Sequence, residues 1–163
     1  MENKELLAKL QENQSQQDIL QKKEEIEKFV IFKLAKKYYA LYAEKVKEIV
    51  INSEIFYVPF VPKYIRGFIN RHGAPYTIFD LNFLLEQKQL EASKFLIINK
   101  EDDQLAFIIS DVLEIVKLPK KEIDYISSQD FDAPYFIGSF PMFDDRVSIV
   151  KLEAVYEKLQ SDL

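Results

Sequence analysis

A chain of 163 residues with 48% hydrophobic content can build one domain or two very small ones, and its net charge of -5 works against nucleic acid as a partner, because phosphate contacts supply most of that affinity. The absence of cysteine excludes disulfides, thiol catalysis and thiolate metal sites, and suits a reducing compartment. The first residues are charged (Glu2, Lys4, Glu5) where a secretory signal is apolar, and no apolar run approaches the ~20 residues of a membrane span, so a cytoplasmic protein without direct membrane insertion is expected.

Residues 1–28 form a polar tail. Leu6, Leu7 and Leu10 share one helical stripe, Ile19, Leu20 and Ile26 are too sparse for a second, and QENQSQQD between them has nothing to bury. A frayed helical tail is expected in preference to a docking helix. From Phe29 the pattern becomes that of short strands. FVIFKLA and YYALYA, separated by Lys36-Lys37, predict a hairpin, and VKEIVI predicts a third strand. A loop follows, NSEIFYVPFVPKYI, in which Pro59 and Pro62 cannot donate to a ladder. Strands near 66–70 and 75–80 and a short helix LNFLLEQ come next, with Asp80 placed to cap the helix.

The chain then repeats itself. Shifted by 66 residues, 29–51 falls on 95–117 without a gap and with seven identities, among them Phe29 with Phe95, Ala40 with Ala106 and the shared V-x-E-I-V. Shifted by 71, 64–81 falls on 135–152, with Tyr64 on Tyr135, Gly67 on Gly138, Ile78 on Ile149 and Leu81 on Leu152. The helix after Asp80 falls on EAVYEKLQ at the C-terminus. Two copies of one unit are expected, each with three strands, a loop, two strands and a helix. Five short antiparallel strands remove their edges by curling into a barrel, and spacing alone does not separate an SH3-like barrel from an OB-like one. The expected division is a first barrel over 29–87 and a second over 88–163. FVIF, FLII and AFII are apolar on both faces, which predicts barrels packed on each other or on partners.

These pieces resemble the CheW family, the coupling proteins of bacterial chemotaxis. The resemblance covers roughly 28–160 and rests on FVIFKL, VKEI, P-x-x-P-x-x-I-x-G-F-I-N with the following Gly73 and IFDL, and AFIISDVLEIVKLPKKEI. It implies a mainly β fold of two tandem five-stranded SH3-like barrels. It also implies a non-enzymatic adaptor in chemotaxis arrays, linking the cytoplasmic tip of a methyl-accepting chemoreceptor to the regulatory domain of a CheA-type histidine kinase. No cofactor is implied. The chain departs from the family's pattern at His72, where an arginine is usual, at Thr77, where a proline is usual, and at Ser110 and Lys151, where aspartates are usual. A divergent scaffold of another signalling system is therefore an alternative, and a small-ligand or nucleic-acid-binding barrel a lesser one.

Candidate partner-facing residues follow. His72 has no nearby serine or cysteine nucleophile and no second histidine, so a turn residue facing a partner is expected rather than a catalytic base. Histidine is charged only in part near neutrality, whereas arginine is always charged, which predicts a pH-dependent affinity. Gly73 is expected to take positive φ in the turn, and Gly67 and Gly138 to mark a bulge or a close backbone approach. Phe56, Tyr57, Phe60 and Tyr64, beside Pro59 and Pro62, either anchor a protein partner or cap the barrel end. The resemblance assigns the receptor region to the third strand, with Val46, Glu48 and Ile49, and extends the partner set to Phe68, Asn70, Val112 and Leu113. The pairs Asp102-Asp103, Asp130/Asp132 and Asp144-Asp145 read as solvated loop carboxylates; they lack the glycine and distal glutamate of a calcium loop. No metal site is expected.

Overall fold

The computed structural model describes residues 2–23, 25–127 and 134–162; Asp130 and Asp132, and the side chains of Ile19 and Leu20, lie outside what is described. The elements are α1 (Glu2–Lys23), β1 (Ile26–Leu34), β2 (Lys37–Tyr42), β3 (Val46–Ile51), β4 (Ile65–Arg71), β5 (Ala74–Phe79), α2 (Leu81–Glu86), β6 (Lys94–Ile98), β7 (Leu105–Ile109), β8 (Asp111–Pro119), β9 (Asp124–Tyr125), β10 (Phe136–Met142), β11 (Asp145–Val150) and α3 (Leu152–Asp162). The fold is mainly β, with a six-stranded sheet ordered β8-β1-β2-β11-β10-β9 and a five-stranded sheet ordered β3-β6-β7-β5-β4.

The duplication expected from the sequence is visible in local geometry. Lys47 on β3 and Leu113 on β8 are the extra residues of matching bulges, since Val46 and Glu48 pair with neighbouring residues of β6, as Val112 and Glu114 do on β1. A second bulge recurs just before Gly67 and Gly138. Gly67 lies at φ +125, and a Cβ there would stand 2.2 Å from the Phe56 carbonyl oxygen; at Gly138 a Cβ would stand 2.6 Å from that of Asp124. Both glycines admit a crossing segment: Phe56 bridges to Phe68, and β9 pairs with β10. Those crossings bring each sheet around on itself in SH3-like fashion. The turn at His72 and Gly73 (φ 52 and 80) matches that at Phe143 and Asp144 (φ 57 and 55).

The expected division into 29–87 and 88–163 is not how the sheets are assembled. The first hairpin of each repeat belongs to the sheet of the other repeat: β1 and β2 join β8 to β11, and β6 and β7 join β3, β4 and β5. Each exchanged hairpin is joined on one side by a parallel pair, β2 with β11 or β7 with β5, and on the other by an antiparallel pair, β1 with β8 or β6 with β3. The exchange explains the hairpins that are apolar on both faces. Along β1, Phe29 and Ile31 enter the core of their own sheet with Phe140, Val147 and Ile149, whereas Phe32 and Leu34 enter a larger core shared with the other sheet. Neither face is left to water, which is what a two-sided apolar strand requires.

The capping role read for Asp80 holds: its Oδ1 accepts from the Phe83 N–H at 2.9 Å. The carboxylate is fully buried, and its Oδ2 accepts from Arg66 Nη1 at 2.9 Å and from the Leu90 N–H at 2.9 Å. In the second repeat Lys151 takes this place, and only the backbone link survives, Lys151 N–H to the Tyr135 carbonyl at 2.7 Å, matching Asp80 N–H to Tyr64 at 2.6 Å. The tail is one continuous helix, α1, with residues 3–16 exposed throughout, in place of a frayed segment.

Candidate functional site: two exposed edges and a groove

β3 is an outer strand of the five-stranded sheet, and it turns apolar side chains outward. Ile49 is 44% exposed and Ile51 60%. Between them and the half-buried Val46, Glu48 is held by Arg71 from β4 at the opposite edge, through Nε at 2.6 Å and through Nη2. That hydrogen bond is the main cause of a lowered Glu48 pKa, and the charges of Arg71, His72 and Lys47 add to it. Arg71 was not legible as a site residue. The resemblance calls for a fixed cation at position 72, and here the cation that reaches Glu48 stands one residue earlier. His72 itself is exposed in the turn with Gly73, and Asn70 is exposed beside it on β4.

β8 is the corresponding outer strand of the six-stranded sheet. Leu113 and Ile115 are exposed there, Ile115 at 59%, and Val112 is half-buried. Val112 and Leu113 are therefore not part of the β3 surface but of its counterpart under the repeat, in which Ile115 stands for Ile49. Ile51 and Ile115 were missed from sequence, although the alternation of VKEIVI and DVLEIVK already hinted at outward isoleucines.

The loop after β3 is strongly exposed. Tyr57 is 77% accessible and Phe60 is completely so, with Phe60 held at φ 61. A bulky residue in the left-handed region is strained. Phe56 stacks on Phe68 with ring centroids 5.3 Å apart, which continues the apolar surface onto β4. Tyr64 does not belong to this surface. It is buried, its ring is 5.1 Å from that of Phe79, and its hydroxyl donates to Asp162 on α3 at 2.7 Å. Pro62 ends the loop by accepting the Ile65 N–H, which turns Tyr64 inward beneath α3. Gly67 is likewise buried and serves the crossing of Phe56.

Beyond Phe68 the surface falls into a groove of about 710 Å³ between the β4–β5 hairpin and α3. Phe68, Pro75, Leu105, Tyr156 and Leu159 make its apolar lining, and Glu101, Asp102 and Asp103 its acidic lip. Asp103 is paired with Lys100 at 2.7 Å, while Glu101 and Asp102 are exposed and make no ion pair among the described residues. The Tyr156 hydroxyl is buried without a hydrogen-bond partner among the described residues, and burial, with the charges of Asp103 and Glu153, pushes its pKa up to about 12. Thr77 also lines the groove, and its N–H donates to the Gln104 carbonyl at 2.9 Å, a bond that a proline at this position would have no hydrogen to make. The Asp102-Asp103 pair, read as ordinary loop carboxylates, thus borders a concave apolar surface that sequence spacing did not reveal.

No group of three or more potential metal ligands occurs among the described residues, and no described helix is long and apolar enough to cross a membrane. The arrangement is one of exposed apolar edges, aromatic knobs and an acidic-lipped groove, which are elements of recognition surfaces.

The model of the CheW-like domain matches residues 28–160. A chemotaxis protein CheW of Helicobacter pylori is 26% identical over 141 residues, covering 83% of this chain and 84% of that protein. A chemotaxis protein CheW of Treponema pallidum is 28% identical over 101 residues, covering 58% of this chain and 59% of that protein. The crystal structure of the scaffolding protein TtCheW from Thermoanaerobacter tengcongensis matches in fold, with a TM-score of 0.67 at 23% identity over 78% of this chain and 90% of that one. With its repeat, its two SH3-like sheets and a family match running from the first strand to the last helix, the chain belongs to the CheW-like domain family.

Proposed function

We propose that the protein is a non-enzymatic, cytoplasmic coupling scaffold of chemotaxis arrays, joining the cytoplasmic tip of a methyl-accepting chemoreceptor to the regulatory domain of a CheA-type histidine kinase. The supporting observation is the pair of outer strands, β3 and β8. They are counterparts under the repeat, both carry exposed isoleucines, and they lie on different sheets. Two such surfaces let one molecule hold two partners at once. They are also unequal: Glu48 is held by Arg71, whereas Glu114 is exposed and makes no ion pair among the described residues. Unequal surfaces meeting head to tail close into rings when the rotation permits.

The test measures binding of purified receptor-tip fragment and of kinase regulatory domain to three proteins: the native chain, Ile49→Asp and Ile115→Asp. Each variant is expected to lose about tenfold or more in affinity for one partner while keeping the other. Native protein that binds neither partner removes the reading. Equal loss of both partners in both variants removes the division of labour between the edges.

A further inference from the structure

The 22 residues of α1 precede the family-matched region, and residues 3–16 of it are exposed throughout. Leu6, Leu7 and Leu10 are 63%, 59% and 55% exposed. At 3.6 residues per turn they fall on one stripe, with Lys4 and Lys9 flanking it and Glu5 and Glu12 on the opposite face. Three leucines left in water on a single helix lack the partner that would justify their placement, because a helix in a protein gains most of its stability from packing an apolar face. The body carries a complementary surface. The groove between the β4–β5 hairpin and α3 has an apolar lining and an acidic lip on which Glu101 and Asp102 have no cation among the described residues. Lys4 and Lys9 make no ion pair among the described residues either.

We infer that α1 of one molecule docks its leucine stripe into the acidic-lipped groove of a second copy, with Lys4 and Lys9 facing Glu101 and Asp102. Two geometric features favour a second copy over the same molecule. The stripe occupies the far end of the helix, with Leu10 about 20 Å of helix before Lys23, at 1.5 Å per residue. Only residues 24 and 25 separate the helix from β1, and Leu6, Leu7 and Leu10 stay exposed, so the stripe is not packed on its own body. A reciprocal exchange, each helix in the other's groove, is a closed two-fold arrangement that uses both stripes and both grooves. The QENQSQQD stretch then acts as a polar spacer between body and stripe, which accounts for a helix half of which has nothing to bury. This association needs neither receptor nor kinase and stands apart from the coupling function.

The experiment is sedimentation velocity on the full chain over a wide concentration range at low and high salt. A monomer–dimer equilibrium that weakens with salt is expected. Leu6→Glu/Leu10→Glu should weaken it by about tenfold or more, as should either Lys4→Glu/Lys9→Glu or Glu101→Lys/Asp102→Lys. Combining the two charge reversals in one chain should restore it. All of these positions are exposed, so the variants are expected to fold, and circular dichroism checks that they do. A chain that stays monomeric at every concentration overturns the inference. So does a dimer indifferent to the α1 variants. A dimer that needs the leucines but ignores Glu101 and Asp102 also overturns it, since that outcome means α1 pairs with α1. Failure of the combined reversal to restore association counts the same way.

Discussion

Arg71, at the end of β4, donates through Nε to Glu48 on β3 at 2.6 Å, so one ion pair joins the two opposite outer strands of the five-stranded sheet. The sheet is curled enough for its first and last strands to meet. The pair is partly open to water, with side-chain exposures of 38% and 26%.

Exposure sets the first prediction. A double-mutant cycle of Glu48→Ala and Arg71→Ala, read by urea unfolding, is expected to give a coupling of about 1 kcal/mol or less. Because the Arg71 hydrogen bond lowers the Glu48 pKa, this contribution is complete above the ordinary glutamate range and fades as pH falls through the lowered value. A coupling several times larger means that the ion pair, and not core packing, holds the curl.

The two matched glycines differ in what a methyl group meets. Gly67→Ala faces both a backbone oxygen at 2.2 Å and a φ of +125, so a loss of about 3 kcal/mol or more is expected. Gly138→Ala meets a backbone oxygen at 2.6 Å without the positive φ and should lose about 1–3 kcal/mol. Gly73→Ala has open space but φ +80, which costs about 1 kcal/mol. Chemical denaturation of the three variants checks the ranking, and a Gly73 variant worse than the Gly67 variant contradicts it.

Asp80 and Arg66 form a buried pair that also caps α2 and holds the chain at Leu90. Removing the carboxylate by Asp80→Ala leaves a largely buried guanidinium and two backbone donors without their acceptor. A cost of about 3–5 kcal/mol is expected. Asp80→Ser, which keeps an N-cap oxygen, should recover about 1 kcal/mol of it. Thermal unfolding that fails to separate the two variants contradicts the capping contribution.

Phe60 is wholly exposed at φ 61, so its backbone strain is not repaid by burial within this chain. Phe60→Gly is expected to leave stability unchanged or raise it by up to about 1 kcal/mol. If the aromatic knob faces a partner, the same variant should bind receptor tip or kinase domain about tenfold more weakly. A variant that is less stable by urea titration, with unchanged binding, makes the loop a cap on the barrel end instead.

Asp162 accepts from Tyr64, and Lys158 lies 3.0 Å away; these two, in that order, lower its pKa. Its folded pKa lies below the ordinary value of 3.8, so its contribution is complete above that value and is lost as pH falls further. Asp162→Asn should therefore reduce stability near neutrality and flatten the decline at strongly acid pH. Parallel acid-unfolding profiles for the variant and the native chain run against this.

The repeat, the strands and their short helices, the capping Asp80, the special glycines and the family were all legible in the order of residues, because each depends on local patterning or on backbone demands that one residue type satisfies. Two-sided apolar strands predicted barrels packed on each other or on partners, and the shared core shows the first. Which hairpin joins which sheet was not legible, since a strand's apolar faces are the same whichever repeat supplies its neighbours. The inward turn of Tyr64, the shift of the fixed cation from position 72 to Arg71, and the meeting of the 101–103 loop with α3 are likewise products of tertiary packing. They depend on groups far apart in the chain being brought within a few ångströms by the curl of a sheet. One-dimensional spacing carries no record of that.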